Sequence, residues 1–367
     1  MSSKKDNKNL DETLMKLALS LAKENEGLTK ENPSVGCVIA RKDEIISTGV
    51  TSYGGRPHAE VNAINNIKGN HNNLTAYITM EPCSHYGKTP PCTKKIIDYK
   101  FINKVVYGVD DIDHRTSKKA QKILKLKNIK VKKNICKKDI LNFYKKYFFF
   151  KKKKLPFVTG KIACSKDNYI KKYNNKYITN SSLLEVSHLL RFRNEGILIS
   201  YKTLNADNPK LNCRINGLEK YSPKIFILDK NLNSKKNSNI FKNNKKNKIF
   251  MFYNSNNRKK INFFIKKKVN LIKISTDKNN KFNLRLILSK IYNLKISSLL
   301  VEGGKILTES FIENKLFNDF YLFKSNKKLG DKGYLGISGI INKVSSIFKN
   351  QRLLDTYTNK DKIIKYF

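Results

Sequence analysis

The stretch Thr79 to Cys92 reads TMEPCSHYGKTPPC; it follows the short apolar run Leu74 to Thr79 and precedes a helix-like segment, Thr93 to Tyr99. Further apolar runs at Val35 to Ala40 and Lys104 to Val109 alternate with helix-like segments at Ala59 to Lys68 and Ser117 to Lys127. Such alternation predicts one α/β sandwich with a largely parallel core sheet. An amphipathic helix opens it. From Asp11 to Glu26 the residues Leu14, Leu17, Ala18, Leu21 and Ala22 recur at helical spacing, with acids in the first turn and Gly27 after the end.

Upstream of Pro82-Cys83 stands His58-Ala59-Glu60, and eight residues separate Cys83 from Cys92. One His and two thiolates supply three of four tetrahedral zinc ligands and leave the fourth position for water, as a catalytic site requires. Zinc bound in this way lowers the pKa of its water toward neutrality. Glu60, two residues from the metal-bound His58, has the reach of a proton shuttle. His58 is expected at the start of the helix beginning at Ala59, and Cys92, after Pro90-Pro91, where the next helix opens. Two helix N-termini would then favour thiolate over thiol. A fourth protein ligand would close the site, so His85 reads as a loop residue, while Cys37 and Cys164 read as core.

The run KKYFFFKKKKLP, Lys145 to Pro156, breaks the pattern and marks the expected boundary between domains 1–150 and 155–367. A second α/β alternation follows, with strand-like Phe157 to Ala163, Gly196 to Ser200, Lys224 to Leu228 and Ser298 to Glu302. Helix-like segments run from Ser181 to Asn194 and from about Lys305 to Asn314. Between Lys230 and Asn283 the chain turns Lys/Asn-rich around a strand-like IFMFY, which suggests expanded exterior loops. No G-x-G-x-x-G follows a strand, so a Rossmann fold is not supported. The run SSLLVEGG, Ser297 to Gly304, instead brings a glycine pair to a helix start, where backbone N–H groups can approach a phosphate.

The 367 residues carry 75 Lys+Arg against 29 Asp+Glu, a net charge of +46, which first points to a nucleic-acid partner. Only 9 of the cations are Arg, however, and Asn contributes another 45 residues. Arg is the better phosphate fork, so the excess reads as drift toward Lys and Asn at solvated positions, without a specific nucleic-acid partner. No apolar run approaches the roughly 20 residues of a membrane span, and six Cys without a secretory signal fit a reducing, cytoplasmic setting.

H-x-E followed by P-C is the signature of zinc-dependent base deaminases, whose cysteines usually stand two residues apart. With the longer spacing here, ENPSVGCVIA (Glu31 to Ala40), GRPHAEVNAI (Gly55 to Ile64) and TMEPCSHYGKTPPC closely resemble the bifunctional deaminase/reductase family of riboflavin biosynthesis. Lys161-x-Ala163-x-Ser165-x-Asp167, Leu190-Arg191 and Thr203-x-x-x-Asp207-x-Pro209-x-Leu211-x-x-Arg214 extend the resemblance into the second half. It implies a cytidine-deaminase-like three-layer sandwich followed by a dihydrofolate-reductase-like α/β domain. It implies Zn2+ and NADPH as cofactors, a phosphorylated pyrimidine as substrate and a homo-oligomeric state. His58, Cys83 and Cys92 become the zinc ligands, Glu60 the catalytic acid/base, Asn32 a pyrimidine contact and Lys88 a phosphate contact. Ala163, Tyr177, Thr203, Asp207, Gly303 and Gly304 would bind NADPH. Lys161, Asn175, Arg191, Leu211, Arg214 and Glu302 would bind the ribosylamino substrate, the two scarce Arg being suited to its phosphate.

The chain departs from the family pattern in places. Asp113 replaces an Asn, and Lys118 and Ala120 occupy glycine places. The added carboxylate is expected to weaken contact with a phosphorylated substrate. In the second half Tyr177 stands for Trp, Asn175 for Ser, Asn168 for Gly and Lys305 for Pro. Two rivals follow from these observations: a zinc deaminase acting on RNA, from the charge, and an eroded non-enzymatic homologue, from the substitutions.

Overall fold

The computed structural model describes residues 2–172, 178, 181–242, 248–354 and 361–367. They form two compact units, Met1–Lys154 and Leu155–Phe367.

The first unit opens with helix α1 (Ser2–Glu24), followed by strands β1 (Gly36–Arg41) and β2 (Glu44–Val50) and helix α2 (Ala59–Asn65). Strand β3 (Leu74–Met80) leads to α3 (Cys92–Asp98), β4 (Ile102–Val109), α4 (Ala120–Lys125), β5 (Lys130–Lys133), α5 (Lys137–Phe143) and α6 (Lys145–Lys153). The sheet order is β2-β1-β3-β4-β5. Strand β1 runs antiparallel to both β2 and β3, and only β3, β4 and β5 are parallel. The expectation of a largely parallel core sheet is therefore corrected: β1 and β2 form a hairpin, which the apolar pattern alone does not distinguish from a crossover.

Alternation along the strands sorts the core into two faces. Cys37, Ile39, Val105 and Tyr107 pack with Ala59, Ala63, Ile96 and Leu124 from α2, α3 and α4. Val38, Ala40, Tyr77 and Val106 pack on the opposite face with Leu14, Met15 and Ala18 of α1 and Ile140 of α5. This is the three-layer sandwich that the resemblance implies. Helices approach both faces closely: a Cβ on Gly36 would overlap the Ala18 carbonyl, and one on Gly49 the Ala59 carbonyl.

The run Lys145 to Pro156, read as a break in the pattern, is instead mostly helix α6. Its lysines mask an apolar face in which Tyr147 and Phe148 pack on the core and Phe150 is buried. Tyr144, just before it, reaches inward and donates its hydroxyl to the Ser34 carbonyl at 2.9 Å.

The second unit begins with β6 (Phe157–Cys164), β7 (Tyr169–Lys172), α7 (Ser181–Phe192), β8 (Gly196–Ser200), α8 (Tyr201–Asp207) and β9 (Lys224–Leu228). It continues through α9 (Asn239–Lys242), β10 (Ile249–Tyr253), α10 (Arg258–Lys266), β11 (Asn270–Lys273), α11 (Leu284–Asn293), β12 (Ser298–Val301) and α12 (Lys305–Glu313). It closes with β13 (Asp319–Lys324), β14 (Gly333–Gly336), α13 (Ser338–Ile347), β15 (Gln351–Leu354) and β16 (Lys362–Tyr366). Nine strands form one sheet in the order β11-β10-β9-β8-β12-β6-β13-β16-β15, while β14 pairs with β7. The seven from β11 to β13 are mutually parallel, and β16 and β15 add antiparallel.

Strand alternation again makes two faces. Ile197, Ile225, Ile227 and Met251 meet Leu183, Leu204 and Phe264 from α7, α8 and α10. Leu198, Phe226 and Phe252 meet Ile287, Ile291 and Phe311 from α11 and α12. The Lys/Asn-rich segment 230–283, read as expanded loops around a strand-like IFMFY, forms that strand as the inner β10 and also supplies the edge strand β11 and the helices α9 and α10. Its Asn257 and Asn283 serve as N-caps that accept the Lys260 and Leu286 amides, a role for which Asn is well suited. Among the described residues no helix is long and apolar enough to cross a membrane.

Asp11 ties α1 to the sheet. It is 3% exposed and accepts hydrogen bonds from Tyr77 Oη at 2.9 Å, Lys132 Nζ at 2.6 Å and Lys104 Nζ at 3.3 Å. Burial raises its pKa, but the Lys132 and Tyr77 hydrogen bonds and the Lys104 charge outweigh burial and hold it below the usual value. A depressed native pKa gives a contribution that is complete above the ordinary Asp value of about 4 and is lost as pH falls through the native value. Asp11→Asn is expected to destabilise this unit by about 2 kcal/mol at neutral pH. Thermal melts across the acid range check this: the gap from wild type should close below about pH 4, and a constant gap would assign the loss to packing instead.

Candidate functional site

The metal centre is built at the C-terminal end of β3, where Pro82 and Cys83 leave the sheet. His58 is the N-cap residue of α2 with extended backbone (φ −72°, ψ 160°), and Cys92 is the first residue of α3 after its N-cap Pro91. His58 Nδ1 lies 3.6 Å from Cys83 Sγ and 3.3 Å from Cys92 Sγ. The three ligand atoms all fall within 4.8 Å of one another, the one such cluster among the described residues. Tetrahedral zinc with ordinary bond lengths separates a nitrogen and a sulfur ligand by about 3.6 Å, so the donor set fits zinc, held through Nδ1. His85 stands outside it, with Nδ1 3.0 Å from Thr116 Oγ1.

The electrostatics suit a dication. The Cys92 amide donates to Cys83 Sγ at 3.2 Å, and Thr93 Oγ1 donates to the Cys83 carbonyl. The hydrogen bond from the Cys92 thiol, followed by those from His58 and the Cys92 amide, holds the Cys83 thiol down to about 4 against burial. Cys92 is pushed the other way by Cys83 and by burial. Two sulfurs this close share one proton, which a dication would displace. Glu60 lies in the first turn of α2, 4% exposed. Burial raises its carboxyl to about 7, with the His58 charge opposing and the Cys83 charge assisting. A carboxyl poised there accepts and returns a proton at neutral pH.

The other first-unit candidates lie in the surrounding loops. Asn32 Nδ2 donates to the Gly55 carbonyl at 3.3 Å, on the segment that leads to His58. Lys88 is exposed in the loop between the cysteines, and Arg56 Nη1 pins that loop through Thr89 Oγ1. Cys37 is fully buried in β1, as is Cys164 in β6.

Glu81 is the residue sequence reasoning missed. It is 3% exposed and accepts the amides of Asp111 at 3.1 Å, Lys118 at 2.9 Å and Ala120 at 3.1 Å. The one carboxylate therefore gathers both ends of the loop that departs from the family pattern, two residues from a zinc ligand. No periodicity announces such a role, because its partners stand 30 to 39 positions away. Within that loop both Asp113 oxygens are taken by Arg115, at 2.9 and 2.6 Å. The carboxylate expected to repel a phosphate is thus neutralised by its neighbour. Lys118, at a glycine place of the family, has a left-handed backbone (φ 61°), which explains the glycine conformationally.

In the second unit the candidates gather at the C-terminal ends of β8 and β12, where open parallel sheets bind ligands. Arg191 Nε and Nη2 grip Glu302 at 2.9 and 2.8 Å, both side chains 13% exposed. Burial raises the Glu302 pKa, but Arg191 and Lys161 overcome it and hold the carboxyl at about 2. Lys161, on β6, has its ammonium 4.9 Å from the centre of the Phe323 ring. Burial pulls the Lys161 pKa down and the Glu302 charge opposes the pull. Much of the Arg191 fork is thus spent on Glu302, while Arg214 is exposed and donates to Asn212 Oδ1 at 3.0 Å.

Thr203 bridges two backbone elements. Its amide donates to Ser200 Oγ, and its hydroxyl oxygen accepts the Gly304 amide at 3.3 Å. Gly303 and Gly304 therefore enter α12 beside α8, whose last residue, Asp207, is exposed. Ala163 pairs with Phe323 in the register of β6 with β13. Leu211 is buried at a left-handed φ of 56°. Tyr177 and Asn175 lie outside the described residues. Asn168 has a φ of 66° and Lys305 opens α12, so these two departures fall where glycine and proline serve the backbone rather than a ligand.

Comparison with known proteins gives the same division. Residues 8–109 match the cytidine and deoxycytidylate deaminase zinc-binding region, and residues 156–360 match the RibD C-terminal domain. Riboflavin biosynthesis protein RibD of Aquifex aeolicus is 31% identical over 333 residues, covering 90% of this chain and 91% of that protein. Among solved structures, a diaminohydroxyphosphoribosylaminopyrimidine deaminase/5-amino-6-(5-phosphoribosylamino)uracil reductase of Thermotoga maritima has a TM-score of 0.80 at 28% identity. That similarity covers 98% of this chain and 99% of that one. RibD of Acinetobacter baumannii, at 24% identity and a TM-score of 0.81, shares the fold.

Two outcomes are expected at the first-unit site. The purified chain should hold one zinc and Cys92→Ala almost none, measured by metal analysis after dialysis; full retention would remove Cys92 from the centre. Lys118→Gly should relieve the left-handed strain and stabilise the first unit by about 1 kcal/mol, read as a higher melting temperature.

Proposed function

The chain belongs to the RibD family of bifunctional riboflavin-biosynthesis enzymes, and on that premise we propose how its residues divide two consecutive reactions. Residues 1–150 deaminate 2,5-diamino-6-(5-phosphoribosylamino)pyrimidin-4-one hydrolytically. Residues 155–367 then reduce the ribosyl group of the product, 5-amino-6-(5-phosphoribosylamino)uracil, to a ribityl chain. The observation that carries the first step is the His58, Cys83 and Cys92 cluster with buried Glu60 beside it.

Zinc held by these three residues supplies Lewis-acid activation of water near neutral pH. Glu60 takes one proton from the attacking water and delivers it to the ring nitrogen, then carries the remaining hydroxyl proton to the amino group, whose C–N bond breaks to release ammonia. Its burial supports this role, since a carboxyl raised to about 7 moves protons in both directions. Asn32 orients the pyrimidine and Lys88 meets the phosphate, each on a loop bordering the metal ligands.

When bound, NADPH would supply hydride to C1 of the opened ribosyl group, where the C1–O ring bond has given way to C1=N and the nitrogen takes up a proton. Thr203, Asp207, Ala163, Tyr177 and the Gly303-Gly304 turn hold the cofactor. Gly304 is the N-cap of a nine-residue helix and is fixed by Thr203 through its amide, and the position of the turn at a helix start supports a role in meeting phosphate. Lys161 and Glu302 line the sugar side, Arg191 orients Glu302, Leu211 and Arg214 complete the substrate side, and Asn175 is assigned to the substrate by the family resemblance alone. The exposed Arg214 is the freer fork for the substrate phosphate. Cytoplasmic residence and self-association belong to the same reading.

The test follows ammonia release and NADPH consumption separately, with the phosphorylated diaminopyrimidine as substrate. Glu60→Ala should reduce ammonia release by about a thousandfold while leaving zinc content and reduction of supplied deaminated intermediate intact. Retained deamination would remove Glu60 from the mechanism. Reduction without ammonia release in the wild type would mean that the first unit is catalytically silent.

A further inference from the structure

We propose that His188 is a positioning residue of the reductase site: by fixing the Asn212 carbonyl it holds the segment Leu211 to Arg214 in its substrate-binding conformation. The inference rests on the reading that the second unit reduces the ribosylamino substrate. His188 lies on α7 one turn before Arg191 and is 7% exposed. Its Nδ1 is 3.1 Å from the Asn212 carbonyl oxygen. A carbonyl only accepts, so Nδ1 carries the proton. Burial, followed by the Arg191 and Arg214 charges, lowers the His188 pKa, which keeps the ring neutral.

The same carbonyl receives Arg191 Nη1 at 3.3 Å. Two donors from successive turns of α7 therefore converge on one backbone oxygen. The neighbouring residues are fixed as well. Leu211 is a buried non-glycine residue at φ 56°, a conformation that persists only where its surroundings over-determine it. The Cys213 amide donates to Ser222 Oγ at 3.0 Å, and Asn212 Oδ1 takes Arg214 Nη1 at 3.0 Å. The direction of the exposed Arg214 fork is thus set through Asn212, whose main chain His188 anchors. Arg191 divides its fork between Glu302 and this carbonyl, leaving His188 as the donor to Asn212 that carries no ion pair with Glu302.

Side-chain geometry provides a discriminating experiment. The amide nitrogen of Asn occupies the place of Nδ1, whereas that of Gln occupies the place of Nε2. The full-length wild type, His188→Ala, His188→Asn and His188→Gln are assayed for NADPH oxidation with the deaminated intermediate and NADPH each varied. His188→Ala is expected to raise KM for the intermediate about tenfold, the worth of one hydrogen bond, with kcat and the NADPH KM within about twofold. His188→Asn should restore the wild-type KM and His188→Gln should not. If the alanine variant does not fold, the Asn and Gln pair decides alone. An unchanged KM in His188→Ala, equal behaviour of Asn and Gln, or an NADPH KM rising in step overturns the inference. A wild type that reduces nothing overturns the underlying reading, and the inference with it.

Discussion

A carboxylate is stable inside a protein only where donors meet it, and in a chain with a net charge of +46 the few buried acids organise their surroundings. Asp11 draws two lysines and a tyrosine from three strands onto the first helix. Glu81 gathers three amides of one loop beside a zinc ligand, and Glu302 fastens α7 to the end of β12 through Arg191. Asp229, fully buried, closes its turn on the Asn233 and Ser234 amides. Glu60 is buried beside the candidate metal centre, where burial raises its carboxyl to about 7.

The Lys and Asn excess takes on a structural meaning beside these acids. Asn or Lys occupies thirteen of the seventeen left-handed non-glycine positions among the described residues. Asn tolerates that conformation through local hydrogen bonds, whereas Lys has no such compensation. Drift has therefore reached the turns as well as the solvated faces, and turns such as that at Lys118 carry the strain. The ligand-bearing positions escaped because zinc requires particular donor atoms, which Lys and Asn do not offer.

Legibility in the sequence followed the range of the interaction. The cluster of His58, Cys83 and Cys92 was readable because each lies within a short motif of metal-ligand spacing. Most strands were readable because their apolar residues are contiguous. Helix α6 was misread because lysines flank its aromatic residues and hide a face that packs on the core. Strand β10 was readable as the apolar run IFMFY, but β11 and α10 beside it were missed for the same reason: composition averages over a stretch, while burial selects individual side chains such as Phe264. Strand direction in the first sheet was unreadable, since parallel and antiparallel neighbours bury the same apolar residues.

By itself the sequence determined the α/β class, the family resemblance and the donor atoms of the zinc centre, because these depend on residue identity at short spacing. Tertiary structure alone decided how the groups act together. It set Glu81 under a loop 30 residues on, placed Arg115 against Asp113, spent much of the Arg191 fork on Glu302 and brought His188 to the Asn212 carbonyl. The physical reason is that hydrogen bonds and burial act over a few ångströms of space, and most of these partners are separated by tens of residues of chain.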